Sequence, residues 1–291
     1  LDDFIEAGKV VRRVLDRASK EIDVGDKLLE VAEYLEDLIR DMDAEPAFPV
    51  NLSLNEVAAH YTPPPDDETE VEPGDVLKVD VGAHVNGAIG DAAITLVFDN
   101  ELGESLAETA RKALKAAIET VEPGVRCKDV GKAIGEVCRE RGHKPVIGLT
   151  GHQVERWNLH AGVSIPNDDL KGYEQRIEEG MVIAIEPFVT TERGDGDVRP
   201  GPTVEIYSVQ DPNVRSRVNL RRIWEERDGL PFARRWLDDR PGTRLELGRL
   251  SKLGALKAYP ELVEAAGEPV AQWEHTVFVT EDGCEVLTGS P

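Results

Sequence analysis

Four acidic residues and one histidine sit where a charge is expensive. Asp80 lies in LKVDVGAHVNG, Asp91 in GAIGDAAITL, Glu186 in VIAIEPF, Glu274 in VAQWEHTVFV and His152 in LTGHQVER. Acidic groups inside apolar strands are costly to bury without partners. Asp80 and Asp91 are 11 residues apart across an expected hairpin, a spacing that can bring both carboxylates to one face. Like charges a few ångströms apart repel unless they are protonated or bridged by cations. Taken singly, each acid also reads as a salt-bridged core residue, and His152 as a hydrogen-bonded core histidine. Taken together, they form a mostly hard ligand set. It suits Mn, Fe or Co ions, with Zn or Ni also admissible, better than a thiolate-type zinc site. Two such ions about 3.5–4 Å apart can clamp a carbonyl and share one activated water.

Something must bring these residues together, and an internal repeat supplies it. In residues 24–50 and again in 123–147, a Gly precedes an amphipathic helix and a Pro follows 21 residues later, Gly25 to Pro46 and Gly124 to Pro145. EPGDVLKVD then ends on Asp80 and EEGMVIAIE on Glu186, each with a turn Gly six residues earlier; His60 and His160 lie upstream. The pattern predicts a duplicated α/β unit whose equivalent strand ends meet at a shared cleft, where ligand sites concentrate. Strands are expected at 76–81, 92–98, 182–185 and 276–280, with Gly87 and Gly90 suiting a hairpin with a bulge. Periodicity of 3.6 predicts helices at 106–120 and 130–141. The expected fold class is α+β with a curved antiparallel sheet. His152 is expected at a loop-to-strand edge, and His60 also reads as a helix residue in NEVAAH beside Tyr61. His84, His143 and His275 read as structural, His275 because it should point away from the face of Glu274.

Glu186 and Glu274 are 88 residues apart, against 11 in the first copy, so a large insertion interrupts the second hairpin. Residues 211–262 read as helices broken at Pro212, Pro231 and Pro241. This segment holds ten Arg and two Lys against eight Asp and Glu, in a chain of net charge −23. Its arginines either pair with acidic neighbours around Trp224 and Trp236 or form a docking surface for RNA, with Arg221, Arg222 and Arg235 as candidates.

The 291 residues are enough to bury a substantial core. The strong negative charge predicts a high-salt environment, where screening shortens the Debye length to about 3 Å at 1 M. Cys127, Cys138 and Cys284 form no CxxC pair and fit a reducing cytoplasm. No apolar run is long enough for a membrane span, and no signal peptide is expected.

FPVNLSLNEVAAHYTP (48–63), VDVGAHVNGAIGDAAITL (79–96), GHQVERWNLHAGVSIPN (151–167), AIEPF (184–188) and AQWEHT (271–276) resemble, in order, the motifs of type 2 methionine aminopeptidases of archaeal kind. The resemblance implies a pita-bread fold over residues 1–291, with 211–262 as the inserted helical subdomain that marks type 2. It implies that Asp80, Asp91, His152, Glu186 and Glu274 hold two metals, with Asp91 and Glu274 bridging, and that a metal-activated hydroxide is the nucleophile. Glu186 would also relay a proton, while His60 and His160 would bind the substrate backbone and the developing oxyanion. Phe48, Leu159, Phe188 and Tyr259 would line a narrow pocket for the N-terminal methionine of nascent chains whose second residue is small. A cytoplasmic monomer that contacts the ribosome through its insertion is expected. The rival readings are a proline-specific aminopeptidase or dipeptidase of the same fold, which usually carries a further N-terminal domain, and a non-catalytic binding protein, which would have lost the ligands.

Overall fold

The computed structural model describes residues 1–237 and 241–289. The first half contains α1 (Asp2–Glu21), α2 (Leu28–Arg40), β1 (Glu45–Pro46), β2 (Asn51–Leu54), β3 (Val57–Ala59), β4 (Val76–Val85) and β5 (Ala88–Val97). The second repeats this order with α3 (Glu101–Thr120), α4 (Cys127–Glu140), β6 (His143–Pro145), β7 (Thr150–Glu155), β8 (Asn158–Pro166), β9 (Val182–Ile185) and β10 (Phe188–Thr191). An excursion follows: β11 (Val198–Val209), α5 (Leu220–Arg227), β12 (Phe232–Ala233), a 3-10 turn (Arg234–Trp236), α6 (Thr243–Lys252) and β13 (Leu256–Glu264). The chain then returns through β14 (Val270–Gln272), β15 (His275–Thr280) and β16 (Gly283–Val286).

The repeat extends to individual backbone hydrogen bonds. Gly25 donates to Val71 and Leu28 to Thr69; Gly124 donates to Ile177 and Cys127 to Gln175. Both glycines have positive φ, +94° and +93°, which lets the chain turn into the helix without a Cβ clash. Each half also has its own core. Alternate residues of β4, namely Leu77, Val79, Val81 and Ala83, pack under α1 and α2. In the second half Ile183 and Ile185 of β9, with Val277 and Val279 of β15, pack under α3 and α4. Strand alternation therefore sends Lys78, Asp80 and Gly82 to the opposite, inner face of β4. Full burial of such a Val or Leu stabilises by about 1.5–3 kcal/mol, so a one-residue slip, which would invert both faces, is strongly disfavoured.

All strand pairs within the sheets are antiparallel. The two halves join through a bridge between Ala93 of β5 and Glu274, which lies between β14 and β15. The first hairpin departs from expectation: β4 and β5 pair without a register shift, from Val76–Val97 to Val85–Ala88. The two-residue turn Asn86–Gly87, with φ of +51° and +81°, has the twist that closes a hairpin tightly, so no bulge is needed.

The excursion is less helical than its sequence suggests. Among its described residues, α-helix covers Leu220–Arg227 and Thr243–Lys252 only, and Gly254 (φ +73°) follows the end of α6. Leu256–Glu264, including Tyr259, is a strand because β11 on one side and β3 on the other satisfy its backbone. Residues 238–240 of the expected helical stretch lie outside the described residues. Among the described residues no helix is long and apolar enough to cross a membrane.

Candidate active site

The inner faces of the two halves carry the chemistry. Asp80 stands mid-strand on β4, Asp91 on β5 and His152 on β7, while Glu186 and Glu274 lie just past the ends of β9 and β14. His152 is thus inside a strand rather than at its edge. It pairs with Ala184 of β9, which brings its ring beside Glu186. His152 Nε2 lies 3.4 Å from Glu186 Oε1 and 3.7 Å from Asp91 Oδ2. One side-chain donor atom each from Asp91, His152 and Glu274 lies within 4.8 Å of the others.

Registers explain the convergence. β9 pairs with β15 and β10 with β14 in one continuous register, Ile185 opposite His275 and Phe188 opposite Gln272, so Glu186 falls opposite Glu274. Across the junction between halves the pairing is reciprocal. Thr276 Oγ1 donates to the Asp91 carbonyl (2.7 Å) and accepts from the Asp91 amide (2.9 Å). Thr95 Oγ1 does the same for Gln272, at 2.6 and 2.9 Å. Thr276, Thr95 and Gln272 are site residues that motif reading passed over. Gln272 was legible: it lies two residues before Glu274 on one extended stretch, and its amide donates to Glu274 Oε2 at 2.9 Å. The threonines were not, because their partners are 185 and 177 residues away.

The electrostatics are those of a site built for cations. Burial pushes the Asp80 carboxyl up to about 7. Asp91, Glu186 and Glu274 are also held well above the ordinary carboxylate range, first by burial and then by neighbouring acids of the cluster, Asp80 acting on all three. Asp80 Oδ1 and Asp91 Oδ1 are buried without a hydrogen-bond partner. Orphaned carboxylate oxygens, mutual repulsion and an adjacent imidazole fit divalent metal ions; no thiolate takes part.

A cavity of about 230 Å3 opens onto this cluster. Phe48, Leu159, Phe188 and Tyr259, the residues expected to line a pocket, all line it, joined by Ile206 and Pro231 from the excursion. His60 and His160 line it as well. His60 is not in a helix: it follows β3 with φ +64°, its ring 6.0 Å from and edge-on to Tyr259. The His160 ring lies 4.4 Å from that of His152. Burial lowers His60 to about 4; burial, then the neighbouring histidines and Lys257, lowers His160 to about 3. Both are therefore neutral near pH 7, each with one N–H to donate.

The remaining histidines do not line this cavity. His84 stacks edgewise on Trp157, His143 bonds Thr109 Oγ1 at 2.8 Å and His275 bonds Thr288 Oγ1 at 3.0 Å. Arg235, a candidate for a docking surface, is not available for one. Its side chain is 2% exposed and ion-paired with buried Glu36, which also accepts from Trp236 Nε1. The pair ties the excursion to α2.

Buried carboxylates and an imidazole at the seam of two α/β half-domains are the makings of a metal-dependent peptidase, and the chain belongs to metallopeptidase family M24, matched over residues 2–281. Its architecture is the pita-bread fold of that family. The chain is 45% identical to a methionine aminopeptidase of Pyrococcus abyssi, over 99% of each chain. Among solved structures it is similar to a methionine aminopeptidase from Thermotoga maritima, with a TM-score of 0.73 and 27% identity over 99% of this chain and 96% of that one. A thermophilic Arx1 shares the fold at a TM-score of 0.85 and 17% identity, covering 100% of this chain and 90% of that one.

Proposed function

We propose that this hydrolase removes the N-terminal methionine of nascent polypeptides whose second residue is small. The observation that carries the reading is the meeting of donor atoms from Asp91, His152 and Glu274 at a cavity of about 230 Å3 whose lining also includes the apolar side chains Phe48, Leu159, Phe188 and Ile206 and the two neutral histidines His60 and His160. In this reading Asp80, Asp91, His152, Glu186 and Glu274 hold two divalent ions, Co, Mn or Fe suiting them best. When bound, such ions polarise the methionyl carbonyl and acidify water. Phe48, Leu159, Phe188 and Tyr259 receive the thioether side chain and exclude solvent. His60 and His160 donate N–H bonds to the peptide carbonyl, where negative charge develops; one such donor is typically worth 10²–10³-fold in rate, about 3–4 kcal/mol. Glu186, which lines the cavity beside His152, takes the proton released during attack and passes it to the leaving amine.

Metal-reconstituted protein should release methionine from Met-Ala-Ser and leave Met-Lys-Ser and Ala-Pro-Ala intact. Cleavage only before proline would overturn this reading in favour of a proline-specific peptidase of the same fold.

The finer expectations belong to the same proposal. The net charge of −23 suits a high-salt cytoplasm, and a melting temperature that fails to rise with molar KCl would count against it. Arg221 and Arg222 are exposed on α5 and suit a ribosomal RNA contact, now without Arg235. Reversing their charge should weaken ribosome co-sedimentation while Met-Ala-Ser cleavage is unchanged.

A further inference from the structure

One wall of the cavity is Phe48, from the first half, and another is Pro231, from the excursion. Phe48 is backed by β4: a Cβ built on Gly82 would lie 2.1 Å from its ring, so Gly82 leaves the space that the ring fills. Pro231 lies in the link between α5 and β12 rather than inside either element. It follows the end of α5, where Asp228 and Gly229 take left-handed backbone (φ +46° and +90°) and release the chain.

A single guanidinium spans the two walls. Arg227 Nη2 donates to the carbonyls of Pro46 (2.7 Å) and Ala47 (3.2 Å), immediately before Phe48. Its Nε donates to the carbonyl of Pro231 at 3.0 Å. The group lies 4.8 Å from the Trp236 ring centroid, and Trp236 is itself held by Glu36. These hydrogen bonds go to carbonyls rather than to a carboxylate. Burial brings the Arg227 pKa down to about 10, which still leaves it a cation at neutral pH. A planar fork presents donors in fixed directions, so it sets the separation of the chains it joins; an ammonium group, a point charge on a flexible stem, does not.

We infer that Arg227 is a positioning residue for specificity, holding the Phe48 and Pro231 walls at the spacing that admits an unbranched methionine side chain and rejects a γ-branched one. The inference rests on the reading of this cavity as the methionine pocket. Differences of one methyl or methylene group in a rigid apolar pocket discriminate about 10–200-fold, so loosening one wall is enough to erode selectivity.

The test compares kcat and KM of the metal-loaded parent, Arg227→Lys and Trp236→Phe on Met-Ala-Ser and Leu-Ala-Ser, with a melting curve for each. The parent should release methionine in strong preference to leucine; if it releases no methionine, the pocket reading fails and this inference falls with it. If the parent behaves as expected, Arg227→Lys should lower the Met-to-Leu ratio of kcat/KM about tenfold. The change should come chiefly through a higher KM for Met-Ala-Ser, with kcat within about twofold. Trp236→Phe, which leaves Arg227 in place but removes the bond to Glu36, should shift the ratio in the same direction by about threefold, and it decides the matter if Arg227→Lys does not fold. An unchanged ratio in a folded variant, or an equal kcat loss on both substrates, would overturn the inference.

Discussion

The two halves of this molecule hold equivalent acids in unequal ways. Asp80 and Glu186 are true counterparts, each six residues after a turn glycine and each on the inner face of its sheet. Asp91 and Glu274 are not. Across the junction Ala93 bridges Glu274, while Thr276 holds Asp91 and Thr95 holds Gln272. The counterpart of Asp91 is therefore Gln272, and that of Glu274 is Ala93. A symmetric frame carries an asymmetric ligand set: the frame is inherited by backbone pairing, whereas each side chain is free to differ. The connections differ too. The first half closes its hairpin with Asn86–Gly87, and the second inserts the excursion between β10 and β14. Loop closure entropy grows only slowly with loop length, and the shared register of β9–β15 and β10–β14 keeps Glu186 opposite Glu274. The longer route also adds Ile206, Pro231 and Tyr259 to the cavity. The local half gives the cavity Phe48 and His60 beside its two acids; the interrupted half gives it two acids, His152, His160 and most of the remaining walls.

The comparison can be broken most sharply at its acids. Asp91→Ala and Glu274→Ala should each lower kcat/KM for Met-Ala-Ser on the order of 10³-fold, despite their different supports. A tenfold gap between them would show that one half dominates. Next comes the joint between α2 and the excursion. Glu36→Gln leaves Arg235 buried without its counter-charge and should cost about 3 kcal/mol in denaturant unfolding, with loss of buried ion-pair partners typically costing 3–5 kcal/mol; no change would mean that the excursion is not anchored there.

Smaller effects probe the seam. Thr276→Val should weaken metal binding about 10–100-fold, read by calorimetric titration, because it frees the backbone of Asp91. Thr95→Val, which holds Gln272, should do less; equal losses would erase the asymmetry. Last, Gly87→Ala should destabilise the first hairpin by about 1–2 kcal/mol in a melting experiment, since φ is +81° there and the Trp157 ring lies against the glycine. Between β10 and β14 of the second half, the excursion takes the place of this turn.

Much of this was legible in one dimension, for reasons that are local. A charge inside an apolar strand marks its own cost, so all five candidate ligands could be named from spacing and composition. Glycines with positive φ punctuate helix starts, so the repeat from Gly25 and Gly124 could be seen. His275 could be set aside from Glu274 because successive extended residues face opposite ways. The errors arose where the sequence pattern is ambiguous between periods. Residues 256–259 follow a helical stretch and became strand only because β11 and β3 offered them hydrogen-bond partners. NEVAAH fits a helix as well as a strand, and the alternative helical reading of His60 gives way to its place after β3, while Gly87 and Gly90 suit a bulge that the turn at Asn86–Gly87 makes unnecessary.

The sequence by itself therefore determined which residues are charged, which faces are apolar and where the chain turns, because those properties belong to single residues and their near neighbours. Only the tertiary structure decided that Arg235 is buried against Glu36 rather than displayed, that Thr276 clasps Asp91 from 185 residues away, and that Arg227 spans two walls of one cavity. Each of these is a contact between segments distant in the chain, and its strength depends on the desolvation that only the assembled fold imposes.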